Sequence, residues 1–164
     1  MKKKLNILIM TMAIVSICSI GVAMAQPNIS ESTVQTSHDI SRLAKEGVKL
    51  KKTIDNPTIT QAQAIDLASK YAQGYAQEAK QIIAEYHLLS NDKLTLFSDS
   101  AKEKNPKLKI DGKLNDTPVY IVTFKGITKK GHVSSIKQKV PVNHEYNLVI
   151  DANSGEVLYG FSYR

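Results

Sequence analysis

Near Asp92 the apolar periodicity of the chain changes, and no other feature constrains the fold as strongly. Upstream, Ala64, Leu67, Ala68, Tyr71, Tyr75, Ala79, Ile82 and Tyr86 recur at helical spacing. Downstream, Lys93-Leu-Thr-Leu-Phe97 and Lys107-Leu-Lys-Ile110 alternate, and Pro118–Phe124 (PVYIVTF) is the β-branched and aromatic run of a strand well inside a sheet. Tyr146–Ile150 and Val157–Tyr163 continue the series. One long helical region followed by successive strands predicts an α+β domain, its N-terminal long helix packed on an antiparallel β-sheet.

The helix has a defined start. Thr60-Gln-Ala-Gln63 is a capping box, in which the Thr and Gln side chains each satisfy a free backbone amide. Gly74 interrupts the pattern, marking a kink or the start of a second helix. Alanines on the apolar stripe let the helix approach a flat partner closely. Ser90-Asn-Asp92 is the expected stop, and Gly126–Gly131 is expected to turn the chain. Pro141 places the 133–142 stretch at an edge or a connection.

Ahead of this domain lie two other segments. Lys2, Lys3 and Lys4 precede an apolar run from Leu5 to Val22 and then Ala23-Met-Ala25, the layout of a secretory signal peptide over residues 1–25. The competing reading is an uncleaved membrane anchor, since the run is almost long enough to span a bilayer. Ile17 stands before Cys18 where lipid attachment wants a small residue, which argues against a lipoprotein. Residues 26–57 read as a leader rich in Ser, Thr, Asn and Gln, with a short helix on Ile40, Leu43, Ala44 and Val48. Ser37 would cap that helix, the cations Lys49, Lys51 and Lys52 would end it, and Asn56-Pro57 closes the leader.

Removing 25 of the 164 residues leaves 139, a size that suits one domain over residues 58–164 behind its leader. The one cysteine leaves with the signal, so the mature chain has no disulfide, thiol nucleophile or thiolate metal site. Three of the 22 Lys and Arg residues are also in the signal; 19 then face 15 acids, a net charge of +4. That mild balance does not indicate nucleic-acid binding. Lys102, Lys104, Lys107, Lys109 and Lys113 cluster without interleaved aromatics, either as a solvated face or as an attachment to anionic envelope polymer.

There is no Gly-x-Ser-x-Gly, phosphate-binding loop or dinucleotide fingerprint. His144-Glu145 starts like a zinc-peptidase helix motif, but Leu148 stands where the second histidine belongs. His38, His87, His132 and His144 have no ligand spacing. The six tyrosines from Tyr71 to Tyr159, with Tyr163, read as core edge rather than a binding platform. No catalytic, cofactor-binding or metal-binding residue is assigned.

The polar hinge Asp151-Ala-Asn-Ser-Gly-Glu156 lies between two strands. Asp151 and Asn153 can accept from nearby amides and Gly155 permits a positive φ, which makes a hairpin turn. A helix-loop-helix calcium loop counted from Asp151 fails, because Glu156 and Ser162 stand where Gly and Glu are required. An Asp151–Glu156 carboxylate pair is allowed by spacing, but a hairpin tip is expected to be open to water. In a turn of this kind Asp151→Asn is expected to be milder than Gly155→Val.

Ile59-Thr-x-x-x-Ala64-x-x-Leu67-Ala68, Pro118-Val-Tyr-x-Val122-x-Phe124 and Tyr146-x-Leu-x-Ile-Asp151-Ala-Asn-x-Gly155-Glu-Val157 together resemble the PepSY domain family. The resemblance covers about residues 58–162 and is most specific in the closing motif. The helical region is longer than is usual in the family, and Gly131–Val142 looks like an insertion. The resemblance implies a PepSY or cystatin-like fold and an exported, stand-alone, non-catalytic module. Such a module would bind a protein or regulate a peptidase by inhibition, with a secreted or envelope peptidase or a sensor protein as partner. It implies no cofactor and no catalytic residue. Nucleic acid is not an expected partner, and membrane contact is expected only through an uncleaved signal segment. The alternative is a cell-envelope structural protein that binds anionic polymer through its lysines.

The signal layout predicts an exported protein whose first residue is Gln26. N-terminal sequencing of protein from the medium or cell wall checks it; an intact Met1 in the membrane fraction would mean an anchor.

Overall fold

The six residues Val119–Phe124 are all buried, and the rest of the molecule is arranged to cover them. The computed structural model describes residues 34–131 and 140–162. The expected signal peptide, the leader up to residue 33, most of the insertion, His132 and Tyr163 lie outside the described residues. Helix α1 (Ile40–Lys45) is followed by strand β1 (Val48–Lys51), helices α2 (Gln61–Tyr71) and α3 (Gln73–Ala76), and strand β2 (Gln81–Asn91). Then come α4 (Asp99–Lys104), α5 (Pro106–Asp111), β3 (Leu114–Lys130), β4 (Val142–Asp151) and β5 (Val157–Phe161). The strands form one antiparallel sheet in the order β1-β2-β3-β4-β5, so the fold is α+β.

Alternate residues of β3 face opposite layers, as the pleat requires. Tyr120, Val122 and Phe124 pack with Leu148, Ile150 and the alanines Ala64, Ala68 and Ala72 of the α2 side. Val119 and Ile121 pack with Val149, Leu43, Leu89, Phe97 and Leu108 on the side of α1, α4 and α5. Ala64 and Ala68 are fully buried, the close approach that small side chains permit. The predicted capping box is formed: Thr60 Oγ1 accepts from the Gln63 amide at 3.2 Å, and Gln63 Oε1 accepts from the Thr60 amide at 2.7 Å.

The long helix is not formed. Helix α2 ends at Tyr71, which is exposed, and Ala72 leaves the helical region at φ −117°, ψ 50° before the single turn of α3. Ile82 and Tyr86 lie on β2. Their spacing of four also satisfies a strand period of two, so with Ala84 they still face the α2 layer. Spacing alone could not separate the two readings, and β-branched Ile82-Ile83 belongs with the strand.

Three other expectations are corrected. Lys93–Phe97 is not a strand, because Asn91 Oδ1 accepts from the amides of Lys93 and Leu94 and turns the chain out of β2. Lys107–Ile110 belongs to helix α5. Its flanks give the reason: Asn105 accepts from the Leu108 amide, Pro106 occupies the first turn, and Gly112 closes the helix at φ +64°. Gly126–Gly131 does not reverse the chain. Strand β3 runs through an irregularity between Lys125 and Lys129, then pairs again at Lys129↔Asn143 and Lys130↔Val142.

The leader is more structured than its composition suggests. Asp39, not Ser37, caps α1, and its Oδ1 accepts from the amides of Ser41 and Arg42. Helical spacing fails after Lys45, where Val48 enters β1 and pairs with Asn91. Leu43 and Val48 are both buried in the second core layer.

The predicted hairpin is present, with β4 paired to β5 through Val149↔Tyr159 and Asn147↔Phe161. Asp151 Oδ1 accepts from the amides of Asn153 at 2.9 Å and Ser154 at 3.0 Å. Its other oxygen accepts from Asn105 Nδ2 at 2.7 Å, so the turn also holds the α4–α5 junction. Gly155 has φ +74°, and an added Cβ would lie 3.0 Å from Leu67 Cδ1. Gly155→Val should therefore cost about 1–3 kcal/mol in urea unfolding, the range for backbone strain. Asp151→Asn should cost a similar amount, about 1–3 kcal/mol, because its amide would face the Asn105 amide at a position that is itself buried. Asn105 cannot turn over to help, since its oxygen serves the Leu108 amide. Unchanged stability in either variant would contradict this account.

Candidate functional site

The hinge carries its chemistry inward. Asp151 is only 2 % exposed, contrary to the water-open tip expected, and both its oxygens hold structural contacts. Glu156 is bonded to Lys104 at 2.7 Å, and the Lys104 ammonium holds its carboxyl below the ordinary range. The two acids are thus committed to different elements. Among the described residues no group of three His, Cys, Asp or Glu side chains is placed to hold a metal ion.

The lysine cluster falls on α4, α5 and the turn after them. Lys102 approaches Asp99 at 3.8 Å, Lys113 approaches Asp92 at 3.5 Å, and Lys107 donates to the Asn115 carbonyl at 2.7 Å. With Lys104 on Glu156, four of these five cations already have partners. The tyrosines divide between layers. Tyr75 stacks on Tyr146 at 4.1 Å, and Tyr86 lies 5.2 Å from Tyr120, both on the α2 side. Tyr159 belongs to the opposite layer.

Two histidines that looked isolated in sequence have polar partners in the fold, His87 in Glu85 on the same strand and His38 in Thr123 on β3. On the face opposite α2, register sets Glu85 beside Ile121, His87 beside Val119, and Thr123 beside Asn147. The 36–38 segment crosses this layer. Glu85 accepts from Thr36 Oγ1 at 2.5 Å, from the Ser37 amide at 2.9 Å and from Ser37 Oγ at 2.6 Å, and His87 Nε2 lies 3.1 Å from it. Thr123 donates to Asn147 Oδ1 at 2.7 Å, with His38 Nε2 3.5 Å from the same hydroxyl. His38, His87, Thr123 and Asn147 are all buried. His144, by contrast, is exposed on β4 near the Ile127 carbonyl.

This polar layer is built to hold a strap. Desolvation pushes the Glu85 carboxyl up, but the hydrogen bonds from Ser37, Thr36 and His87 outweigh it and hold the group at about 2. Burial lowers the His38 pKa from 6.5, against the raising influence of Glu85 and Glu145; His87 and Lys125 add to the lowering. Sequence reasoning missed the constellation because its members are up to 111 residues apart, from Thr36 to Asn147. Only the repeated placement of polar residues among apolar strand positions hinted at it.

Beside the strap lies an open groove of about 670 Å³. One wall is α1, with Arg42, Leu43 and Lys45; the other is β5, with Tyr159 and Phe161. Glu46, Val48, Asn91, Lys93, Leu94 and Ser162 complete it. His38 reaches the same wall, its ring 6.3 Å from that of Phe161. A smaller depression of about 250 Å³ borders the hinge at Asn105 and Asp116. The groove is the larger opening and the one that mixes apolar walls with charge, which makes it the candidate binding site. No family model, curated protein or solved structure matches the chain.

The polar layer makes stability depend on acid in two windows. Unfolded His38 takes up a proton at higher pH than folded His38, so its contribution is full above 6.5 and declines as pH falls below that value. Glu85 contributes fully above 4.5, and that contribution is lost between 4.5 and about 2. Glu85→Gln should lower the unfolding free energy at neutral pH by about 2 kcal/mol and flatten the lower window. Urea unfolding across this pH range checks it; an unchanged acid limb in the variant would remove Glu85 from the account.

Proposed function

We propose that this protein is an exported, non-catalytic module of PepSY-like, cystatin-like type that binds another protein and regulates a peptidase by inhibition. The observation that carries the reading is the use made of Asp151-Ala-Asn-Ser-Gly-Glu-Val157. This most specific part of the family resemblance acts as a turn and a tie to the α4–α5 junction, with the Asp151 and Glu156 carboxylates both bonded to groups of the protein itself. A signature that shapes a fold instead of presenting a reacting group suits a binding module.

The arrangement around it supports the same reading. A capped helix, α2, packs on one face of the antiparallel sheet and β4 with β5 closes the chain as a hairpin; the resemblance implies a starting helix and a closing strand pair of this kind. Among the described residues strand β5 has only β4 beside it, and an edge strand offers backbone groups to an extended partner. The large groove beside it gives such a partner apolar contact. The partner expected is a secreted or envelope peptidase or a sensor protein. Attachment to anionic polymer gains less support, since four of the five clustered lysines are already engaged.

A purified thermolysin-type metallopeptidase mixed with the protein should lose activity in proportion to added protein. The effect should persist from low to physiological salt, where screening of exposed charges sets in at about 8–10 Å. Full peptidase activity at every ratio would overturn the inhibitory reading. Inhibition that disappears on adding salt would point to charge-driven association instead.

A further inference from the structure

Residues 36–38 are fastened to the sheet by polar contacts that gather at two points. The first is Glu85, whose carboxylate accepts from Thr36 Oγ1 at 2.5 Å, from the Ser37 amide at 2.9 Å and from Ser37 Oγ at 2.6 Å. The second is His38, whose ring is 7 % exposed and lies 6.3 Å from that of Phe161, with Nε2 3.5 Å from the Thr123 hydroxyl. Thr123 donates its proton to Asn147 Oδ1, so toward His38 it presents a lone pair, which an imidazole N–H matches. Past the strap the attachment changes kind. Leu43 anchors α1 in the core, and β1 is paired along its length to β2. A hinge at Asp39 therefore lets the strap leave the sheet without disturbing either element.

The face left behind is satisfied without the strap. Thr123 keeps Asn147, and Glu85 keeps His87 Nε2 at 3.1 Å while water replaces the two hydroxyls and the amide. A segment held mainly by hydrogen bonds, over a face that needs no rearrangement, opens at lower free energy than the core. The strap thus has two arrangements, and the charge on His38 distinguishes them.

A neutral imidazole suits the closed position, whereas an imidazolium would bring a charge into a buried site. Other charges reach the ring from three strands: Glu85 and His87 on β2, Lys125 on β3 and Glu145 on β4. Strand β5 meets it with Phe161, and Asp39, next in the chain, is paired with Arg42 at 3.5 Å. Burial is the largest influence and lowers the pKa of the closed ring from 6.5; the two carboxylates oppose it, and His87 and Lys125 add to it. A released ring, in water, takes up its proton near 6.5. Closure is therefore favoured fully above that value, and the preference declines as pH falls below it.

We propose that residues 36–38 form an acid-released strap: protonation of His38 lifts them from the sheet in mild acid and uncovers the Glu85–His87 face of β2, while α1 and the five strands stay in place. This goes beyond the binding reading above and holds whatever the protein binds.

The test is amide hydrogen exchange of the purified protein, followed by NMR at about pH 7.5 and about pH 5.5 and corrected for the intrinsic pH dependence of exchange. The Ser37 amide, which donates to Glu85, reports the strap, and the amides of Val119–Phe124 report the sheet. Opening at Ser37 should rise severalfold at the lower pH, with a ceiling of about tenfold for one proton taken up at 6.5. The β3 amides should keep their protection, and His38→Asn should abolish the rise. Equal opening at both pH values, loss of β3 protection together with the strap, or a rise that survives in His38→Asn would overturn the proposal. Should the strap of His38→Asn be open already at the higher pH, the ring signals of His38 in the unaltered protein decide. Titration below 6.5 supports the switch, and titration at or above 6.5 overturns it, because the proton would then favour closure.

Discussion

Burial of β3 on both faces is the constraint on which the structure depends. A strand with one wet face can be half polar, but Val119–Phe124 leaves no side exposed. Each layer must therefore be covered by something. Helix α2 covers one face through alanines that allow close contact, and α1, α4 and α5 cover the other. Burying the five apolar side chains of this run is worth about 1.5–3 kcal/mol for each large residue, an upper range against an unfolded chain that is itself partly compact. Two thin layers of short helices follow from this need, since none of α1, α4 or α5 exceeds six residues.

The second face is not uniformly apolar, and that is where the site arises. Near α4 and α5 the layer is built from Leu89, Val119, Val149 and Leu158, whereas nearer the strap it turns polar through Glu85, His87, Thr123 and Asn147. A buried polar layer is stable only when its members are satisfied by one another. Thr36, Ser37 and His38 supply what the sheet lacks, and so the leader becomes part of the domain. The same segment leads into α1, which forms a wall of the groove. Holding the strap and shaping the groove are therefore two results of one set of hydrogen bonds.

The hinge shows the same economy of placement. Asp151 organises its own turn and reaches Asn105, which in turn caps α5. Glu156 reaches Lys104 on α4 from the far end of the turn. Two short helices that would not persist alone in water are fixed in this way to the closing hairpin.

What the sequence determined by itself was local. The Thr60 box, the β3 run and the 151–156 turn were legible because each depends on residues close in the chain: a side chain and an amide three residues apart, a continuous apolar run, and an Asx turn with its glycine. Helix α5 was legible in principle, since Asn105-Pro106 and Gly112 mark its ends, but the short alternation Lys107–Ile110 pointed the other way. Where a spacing of four fits both periods, as for Ile82 and Tyr86, only pairing with β3 chose the strand. The groove and the polar layer were decided by tertiary structure alone. Their residues come from the strap, α1, β2, β3, β4 and β5: Glu85 stands two residues before His87 on the same strand, but only the fold brings Thr36 and Ser37 to Glu85 and His38 to the Thr123 hydroxyl.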